Sequence, residues 1–394
     1  MKPSARHASS LEALTELLDL RPTSGADRTR LGVVAGRSGP RFLVPLDFPE
    51  ASPQACWAYL GLRDRKTQLA RGAVGLALRT GLHRLVVRDD LTADTGPGSL
   101  IALLEELLED PEEEPGLAIA AGLSRIDEVW KPTLQVFRPD GTPAAFVKIG
   151  LGPVGDRLVG TEAETLAAWA DHPDPRLVVP DLIADARWNG LRIAVVAPLP
   201  DDARRLPPGA TSAWAVRALD GPEEHGPLTT APWWTGRRRA WADEPAVDAL
   251  LDAIEQRHGG SDRAWARWHG DWVPWNLARC HRGLVAWDWE YSEPGAPVGL
   301  DEVHGAYQQA RVVEGRSIAD SLLVARTTAH HLGARMTTGM DAAVHHEGAA
   351  ARWLSDAHVA MLVTRSAELE RLTGEPPAHQ PELLAAARDA VAVP

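Results

Sequence analysis

Short apolar runs divide the first 115 residues into predicted helices and strands. Leu11 to Leu20 and Gln54 to Thr80 space their apolar residues along one helical face, and Arg41 to Leu46 is typical of a strand. The acidic, proline-bounded run from Glu109 to Pro115 is typical of a linker. The pattern predicts that residues 1–115 form an N-terminal α/β unit of their own, and we recognise no catalytic motif in it.

Residues 116–200 change to strand-like apolar runs that are separated by tight turns. Thr133 to Phe137 and Ala144 to Ile149 each have the length of a strand, and Pro139-Asp140-Gly141 between them predicts a turn. Arg192 to Pro198 predicts another buried strand. These runs indicate a small β-rich unit.

The remainder, residues 201–394, is predicted to be mostly helical. Arg204 to Pro232 is rich in proline, glycine and aspartate and predicts loops. Alanine-rich amphipathic runs then predict long helices, roughly Ala319 to Leu332, Ala349 to Thr373 and Pro381 to Val391. The whole chain is therefore expected to be an α+β protein of more than one domain.

The composition excludes several classes of protein function. The 394 residues carry a net charge of −13, which argues against a nucleic-acid-binding surface. Cys56 and Cys280 lack metal-site spacing and are expected to be free thiols in a reducing compartment. No run approaches the roughly 18 apolar residues of a membrane span. We expect a cytoplasmic protein without a membrane partner.

The most specific motif lies between Trp268 and Tyr291 and reads W-H-G-D-W-V-P-W-N, then a short hairpin, then D-W-E-Y. Phosphoryl transfer from ATP needs a carboxylate that orients the attacking hydroxyl, and oxygen ligands for magnesium. Asp271 is placed for the first role. Asn276 and Asp288 are placed for the second, because the predicted hairpin returns Asp288 close to Asn276.

This motif resembles that of the aminoglycoside phosphotransferase and choline kinase superfamily. The resemblance implies a bilobal protein-kinase-like fold, with an ATP-binding small lobe at residues 116–200 and a large catalytic lobe at residues 201–394. It also implies an ATP- and Mg²⁺-dependent phosphotransferase with a small-molecule hydroxyl substrate. The residues carried over are Asp271 as catalytic base, Asn276 and Asp288 as magnesium ligands, Glu290 as the trailing acid and His269 as a structural brace.

Lys148, near the end of an apolar strand, is the candidate ligand for the ATP phosphates, because a buried lysine needs an anion. Its expected acidic partner on the next helix is Glu162, with Glu164 as the alternative. Alternatively, Thr161 and Glu164 could form a capping box at the start of this helix, which would be a purely structural role. Backbone groups near Val196 and Ala197 are expected to meet the adenine.

The chain departs from the family in the segment that should cover the phosphates. Ser124 to Pro132 contains no glycine, although glycine is used there to let the backbone approach the anion. Two other functions remain open at this point. The acceptor could be a peptide or protein serine or threonine, or the chain could be a pseudokinase that binds nucleotide without turnover.

Overall fold

The computed structural model describes residues 9–22, 25, 27–36, 39–109, 115–171, 175, 177–206, 224–337 and 345–392, and the backbone alone at 334–337 and 345–348. These residues form two compact units. The first contains residues 1–173, 179–205 and 278–285, and the second contains residues 174–178, 206–277 and 286–394. Residues 110–114 of the predicted linker and residues 207–223 of the predicted loop region lie outside the described residues.

The strands, in chain order, are β1 (Arg28–Gly36), β2 (Gly39–Pro45), β3 (Val87–Asp94), β4 (Ala118–Gly122), β5 (Thr133–Phe137), β6 (Pro143–Ile149), β7 (Leu177–Val178), β8 (Leu182–Trp188), β9 (Leu191–Val196), β10 (Arg204–Arg205), β11 (Glu224–Pro227), β12 (Asp262–Trp268), β13 (Leu277–Cys280), β14 (Gly283–Ala286) and β15 (Glu293–Pro297).

The α-helices are α1 (Ser10–Leu17), α2 (Ala51–Trp57), α3 (Arg65–Arg79), α4 (Leu100–Leu107), α5 (Gly152–Asp171), α6 (Pro232–Trp241), α7 (Pro245–His258), α8 (Leu300–Gln308), α9 (Ile318–Thr337), α10 (His345–Thr373) and α11 (Gln380–Ala392). None of the described helices combines the length and the apolar character that a membrane-spanning segment requires.

The first unit is built on an eight-stranded antiparallel sheet with the order β3-β1-β2-β4-β5-β6-β9-β8. The predicted boundary at residue 115 does not separate two compact units, because β2 pairs with β4 and places Leu43 opposite Ala121. An unpaired edge of β4 would expose its backbone hydrogen-bonding groups, and the N-terminal strands satisfy them. A linker-like composition carries no information about which strands pair across it.

Each face of this sheet is covered by its own apolar cluster. Leu14 and Leu104, from α1 and α4, pack with Leu134, Val147 and Ile193 on one face. On the other face, a second cluster joins Ala55 of α2 to Phe137 of β5. The alternation of side chains along each strand explains this division, because neighbouring residues point to opposite faces.

The second unit is mainly helical, with a three-stranded sheet in the order β11-β12-β15. Its core is rich in tryptophan, and Trp234, Trp265 and Trp353 pack edge to face with ring centroids about 6 Å apart. Most of the tryptophans around the sequence motif are thus core residues, although Trp275 is 43% exposed. The predicted α+β class, with an antiparallel sheet and a larger helical part, is confirmed.

Candidate active site

Lys148 and Glu162 form a buried ion pair within the first unit. Lys148 Nζ donates to Glu162 Oε1 at 2.6 Å, and both residues are less than 10% exposed. Helix α5 begins at Gly152, so Thr161 lies in the helix interior and is not its N-cap. The alternative acid, Glu164, points outward and pairs with Arg192. The structure therefore brings Lys148 together with Glu162.

The segment expected to meet adenine lies at the end of β9. Val196 is in register with Phe146 of β6 and with Leu182 of β8. The Ala197 N–H donates to the Asp181 carbonyl at 2.8 Å. An adenine would have to displace that bond to reach this amide.

Asp271 and Asn276 meet in the loop that follows β12, in the second unit. Asn276 Nδ2 donates to Asp271 Oδ2 at 2.8 Å and to the Asp271 carbonyl at 3.1 Å. These two bonds fix the Asp271 carboxylate, which keeps 22% of its side-chain surface accessible. Since Nδ2 makes both bonds, Oδ1 is the Asn276 atom that would bind a metal.

Asp288 is held close to this loop by the backbone. The Trp287 N–H donates to the Asn276 carbonyl at 3.2 Å, which closes the hairpin. Asp288 has a φ of 64°, in the left-handed region that aspartate tolerates better than most residues. One carboxylate oxygen of Asp288 lies within 4.8 Å of one of Glu290.

The donor atoms of Asp288, Glu290 and Asn276 are all oxygens, which suits a hard cation such as Mg²⁺. Glu290 is 9% exposed, and Asn276 is 3% exposed. Carboxylates that lie close together repel one another, and a divalent cation bound between them relieves that repulsion. The arrangement therefore fits a divalent-metal site.

His269, for which the family resemblance implies a bracing role, contacts both parts of this site. Its Nδ1 accepts from the Asp271 N–H at 3.2 Å, so its Nε2 is the protonated nitrogen and donates to the Trp287 carbonyl at 3.0 Å. The ring also packs 4.4 Å from that of Trp289. His269 thus links the Asp271 loop to the segment that carries Asp288.

Asp301 anchors the same loop, a role that the sequence did not reveal. Its two carboxylate oxygens accept from the His269 and Gly270 N–H groups at 2.7 and 2.9 Å. Burial raises the pKa of Asp301 to about 7, against the lowering effect of these two bonds and of Arg365. The only sequence signal was its position at the start of α8, where an acidic side chain is favoured because it interacts with the helix dipole.

His304 lies beside Asp271, and His358 lies beside His304. His304 Nε2 lies 3.8 Å from Asp271 Oδ1, and His304 Nδ1 lies 3.3 Å from His358 Nε2. Burial is the main cause that lowers the pKa of both rings, to about 3 for His358. Both are therefore uncharged near neutral pH, and the charge of Asp271 is not neutralised by an adjacent imidazolium.

Gly270 is required by two independent features of this loop. Its φ is +84°, and a Cβ at this position would lie 2.2 Å from the Tyr291 carbonyl oxygen. We expect Gly270→Ala to lower the free energy of unfolding by more than the ~1–2 kcal/mol of the left-handed backbone alone.

Gly315→Ala is the matched control for Gly270→Ala. Gly315 also has a positive φ, +68°, but a Cβ there would have nothing within 4 Å. Urea unfolding of both variants separates backbone strain from steric overlap. Equal losses in the two variants would show that the contact with Tyr291 does not constrain the loop.

Comparison with known proteins found structural similarity only. No protein-family model matches this sequence, and no curated protein matches it. A thermostable mutant of the aminoglycoside phosphotransferase APH(4)-Ia, in complex with ADP and hygromycin B, superposes with a TM-score of 0.46 at 10% identity, covering 74% of this chain and 97% of that one.

Two further solved structures are similar to this chain. The amicoumacin kinase hAmiN, in complex with AMP-PNP, Ca²⁺ and Ami, gives a TM-score of 0.42 at 12% identity, covering 74% of this chain and 92% of that one. A glucosamine kinase in complex with glucosamine, ADP and inorganic phosphate gives a TM-score of 0.25 at 15% identity, covering 94% of this chain and 87% of that one.

Proposed function

We propose that this chain is an ATP-dependent phosphotransferase that moves the γ-phosphate of Mg·ATP to a hydroxyl of a small molecule, as a member of the aminoglycoside phosphotransferase and choline kinase superfamily. The observation that carries the proposal is the pair of hydrogen bonds from Asn276 to Asp271. They hold a partly accessible carboxylate in one orientation, beside residues suited to a divalent cation.

Each residue has a distinct task in this proposal. Asp271 accepts a hydrogen bond from the acceptor hydroxyl, orients it and takes its proton as the phosphoryl group is transferred. Asn276, Asp288 and Glu290 would hold Mg²⁺, which neutralises charge on the phosphates when bound. Lys148, oriented by Glu162, binds the phosphates of the nucleotide.

Phosphoryl transfer depends mainly on positioning and charge, which explains the bracing around Asp271. Asp301 holds two amides of the loop, and the Arg365 guanidinium donates to the Gly270 carbonyl at 2.9 Å. Arg365 is itself fixed over the rings of Trp268 and Tyr291. A loop held at this many points loses little entropy when it orients a hydroxyl.

The acceptor is proposed to be a sugar, an aminoglycoside-like compound or an amino-alcohol metabolite. The net charge of −13 suits a cationic acceptor such as an amino sugar. The test is incubation of the protein with Mg·ATP labelled in the γ-phosphate and a panel of hexoses, amino sugars, aminoglycosides and amino alcohols, beside serine- and threonine-containing peptides. We expect label on a small molecule, and none after EDTA treatment.

The same screen distinguishes the alternatives. Label on peptides alone would show a peptide or protein kinase. Saturable Mg·ATP binding in a thermal-shift assay without any label transfer would support a pseudokinase, because ligand binding raises the apparent stability without requiring turnover. Transfer that persists unchanged in the Asp271→Asn variant would refute the assignment of the site.

A further inference from the structure

A cavity of about 240 Å³ lies within the first unit, against the eight-stranded sheet. Residues of β2, β4, β5 and β6 form one part of its lining, and residues between 55 and 71 form another. Its polar and charged lining side chains are those of Arg63, Arg71, Ser124, Lys131, Thr133 and Gln135. The described lining thus contains three basic side chains and no carboxylate.

The cavity lies on the face of the sheet that carries the Lys148 side chain. Thr133 is directly opposite Lys148 in the β5–β6 pair, and Gln135 is opposite Phe146. Side chains of directly opposed residues lie on the same face, and so do those of alternate residues along a strand. Thr133, Gln135 and Phe146 all line the cavity, so the cavity and Lys148 share this face.

Arg71 is an unusually placed cation in this lining. It is only 8% exposed, and its buried Nη1 atom has no hydrogen-bond partner among the described residues. Its guanidinium lies 4.5 Å from the centre of the Phe42 ring. Burial, together with the smaller effect of the nearby Arg63 charge, lowers the pKa of Arg71 to about 10. Even so, Arg71 remains charged at neutral pH.

No counter-ion for this charge is present in the described part of the chain. Neither Arg63 nor Arg71 forms a salt bridge there. Asp64, next to Arg63, attracts it electrostatically but accepts hydrogen bonds from the Lys66 and Thr67 N–H groups at the start of α3. The Cys56 thiol is neutral, because burial raises its pKa to about 11. A buried cation without a partner is costly, so an anionic ligand would offset that cost.

We propose that Arg63 and Arg71 bind a phosphate group of a small-molecule ligand in this cavity. Guanidinium groups form charge-assisted, often bidentate hydrogen bonds with phosphate. The volume is below the roughly 300–1,000 Å³ of pockets that enclose a whole drug-sized ligand, so it suits a phosphate or pyrophosphate group better than a complete nucleotide. The ligand is either ATP, bound by its phosphates, or a separate phosphorylated metabolite.

If the ligand is ATP, the inference rests on the proposed function. It then gives residues 51–79 a role in nucleotide binding. Ser124 and Lys131 line the cavity and belong to the glycine-free segment that should cover the phosphates. The side-chain charge of Arg63 and Arg71 would then replace the backbone contacts of a glycine-rich loop. This would give residues 1–115 a binding role as well as the structural one of extending the sheet.

Calorimetric titration of the full chain tests the proposal, with Mg·AMP-PNP and with pyrophosphate as probes. The variants are Arg71→Met and Arg63→Gln, and the matched control is Arg65→Gln, an exposed arginine of α3 that does not line the cavity. We expect both test variants to bind at least one probe about 10-fold or more weakly, as for loss of a charge-assisted hydrogen bond. Arg65→Gln should bind both probes as the unchanged protein does.

The Tm of each variant without ligand distinguishes a loss of binding from a loss of folding. Because Arg71 is buried without an acidic partner, Arg71→Met should have a Tm no lower than that of the unchanged protein. If Arg71→Met nevertheless fails to fold, Arg63→Gln carries the test, because its side chain is exposed.

The outcomes identify the ligand or refute the proposal. Weaker binding of Mg·AMP-PNP places the nucleotide phosphates in the cavity. Weaker binding of pyrophosphate alone indicates a separate phosphorylated metabolite. Unchanged binding of both probes in Arg71→Met and Arg63→Gln would overturn the inference. The proposed function would survive that result if Asp271→Asn still abolished phosphate transfer.

Discussion

Asp271→Asn is expected to lower the turnover number for phosphate transfer by about 10²–10⁴-fold, the typical contribution of a positioned acid–base group. The substituted amide cannot accept a proton from the hydroxyl. Its oxygen can still accept the hydrogen bond that Asn276 Nδ2 donates to Asp271 Oδ2, so the shape of the loop is retained. The loss should therefore appear in turnover, while Mg·ATP binding stays within a few-fold of that of the unchanged protein.

This experiment needs an acceptor identified by the labelled-phosphate screen, and it is read as separate values of kcat and KM for ATP. Asp243→Asn is the matched control, because Asp243 is an exposed aspartate of the same unit. Full turnover by Asp271→Asn would show that Asp271 is not the base. A parallel loss of Mg·ATP binding would show that the substitution disturbs the neighbouring oxygen ligands.

The residues of the site differ in how far the sequence could predict them. Asp271, Asn276 and Asp288 lie within 18 positions of one another, and a short hairpin is a local structure that spacing can indicate. Glu162 was preferred to Glu164 because the family pattern that the chain resembles has an acid four and seven residues before apolar positions, here Leu166 and Trp169. Glu162 is the acid that contacts Lys148. In both cases, short-range spacing contained the information.

Asp301 and Arg365 could not be found in this way. Their contacts with the Asp271 loop join residues that are 31 and 95 positions apart. Such contacts depend on how helices α8 and α10 pack in the second unit, and no local pattern records that packing. The pairing of β2 with β4 was missed for the same reason, since an acidic run between two strands leaves their register undetermined.

Lys148→Met is expected to reduce the free energy of unfolding by about 3–5 kcal/mol, because it leaves the Glu162 carboxylate buried without its cation. Glu162→Gln should lower the free energy of unfolding by less, because the amide oxygen can still accept a hydrogen bond from Lys148 Nζ. The double variant Lys148→Met/Glu162→Gln removes both charges and should regain most of the lost stability. Replacement of a buried ion pair by neutral groups of similar size is often close to neutral.

Arg187→Met is the control for these variants. Arg187 and Asp156 form an ion pair in the same unit at 3.2 Å, but their side chains are 59% and 41% exposed. Exposed pairs contribute about 0–1 kcal/mol, so Arg187→Met should barely change the urea midpoint. A loss as large as that of Lys148→Met would show that removal of any arginine or lysine destabilises this unit.

Nucleotide binding then decides whether the buried pair serves stability or function. If Lys148 binds phosphate, the double variant should recover its stability but not its affinity for Mg·AMP-PNP, because methionine provides no positive charge. If the pair is only structural, stability and affinity should recover together. Recovery of stability alone would mean that the charges of Lys148 and Glu162 add little to the free energy of unfolding, and that phosphate binding accounts for their presence.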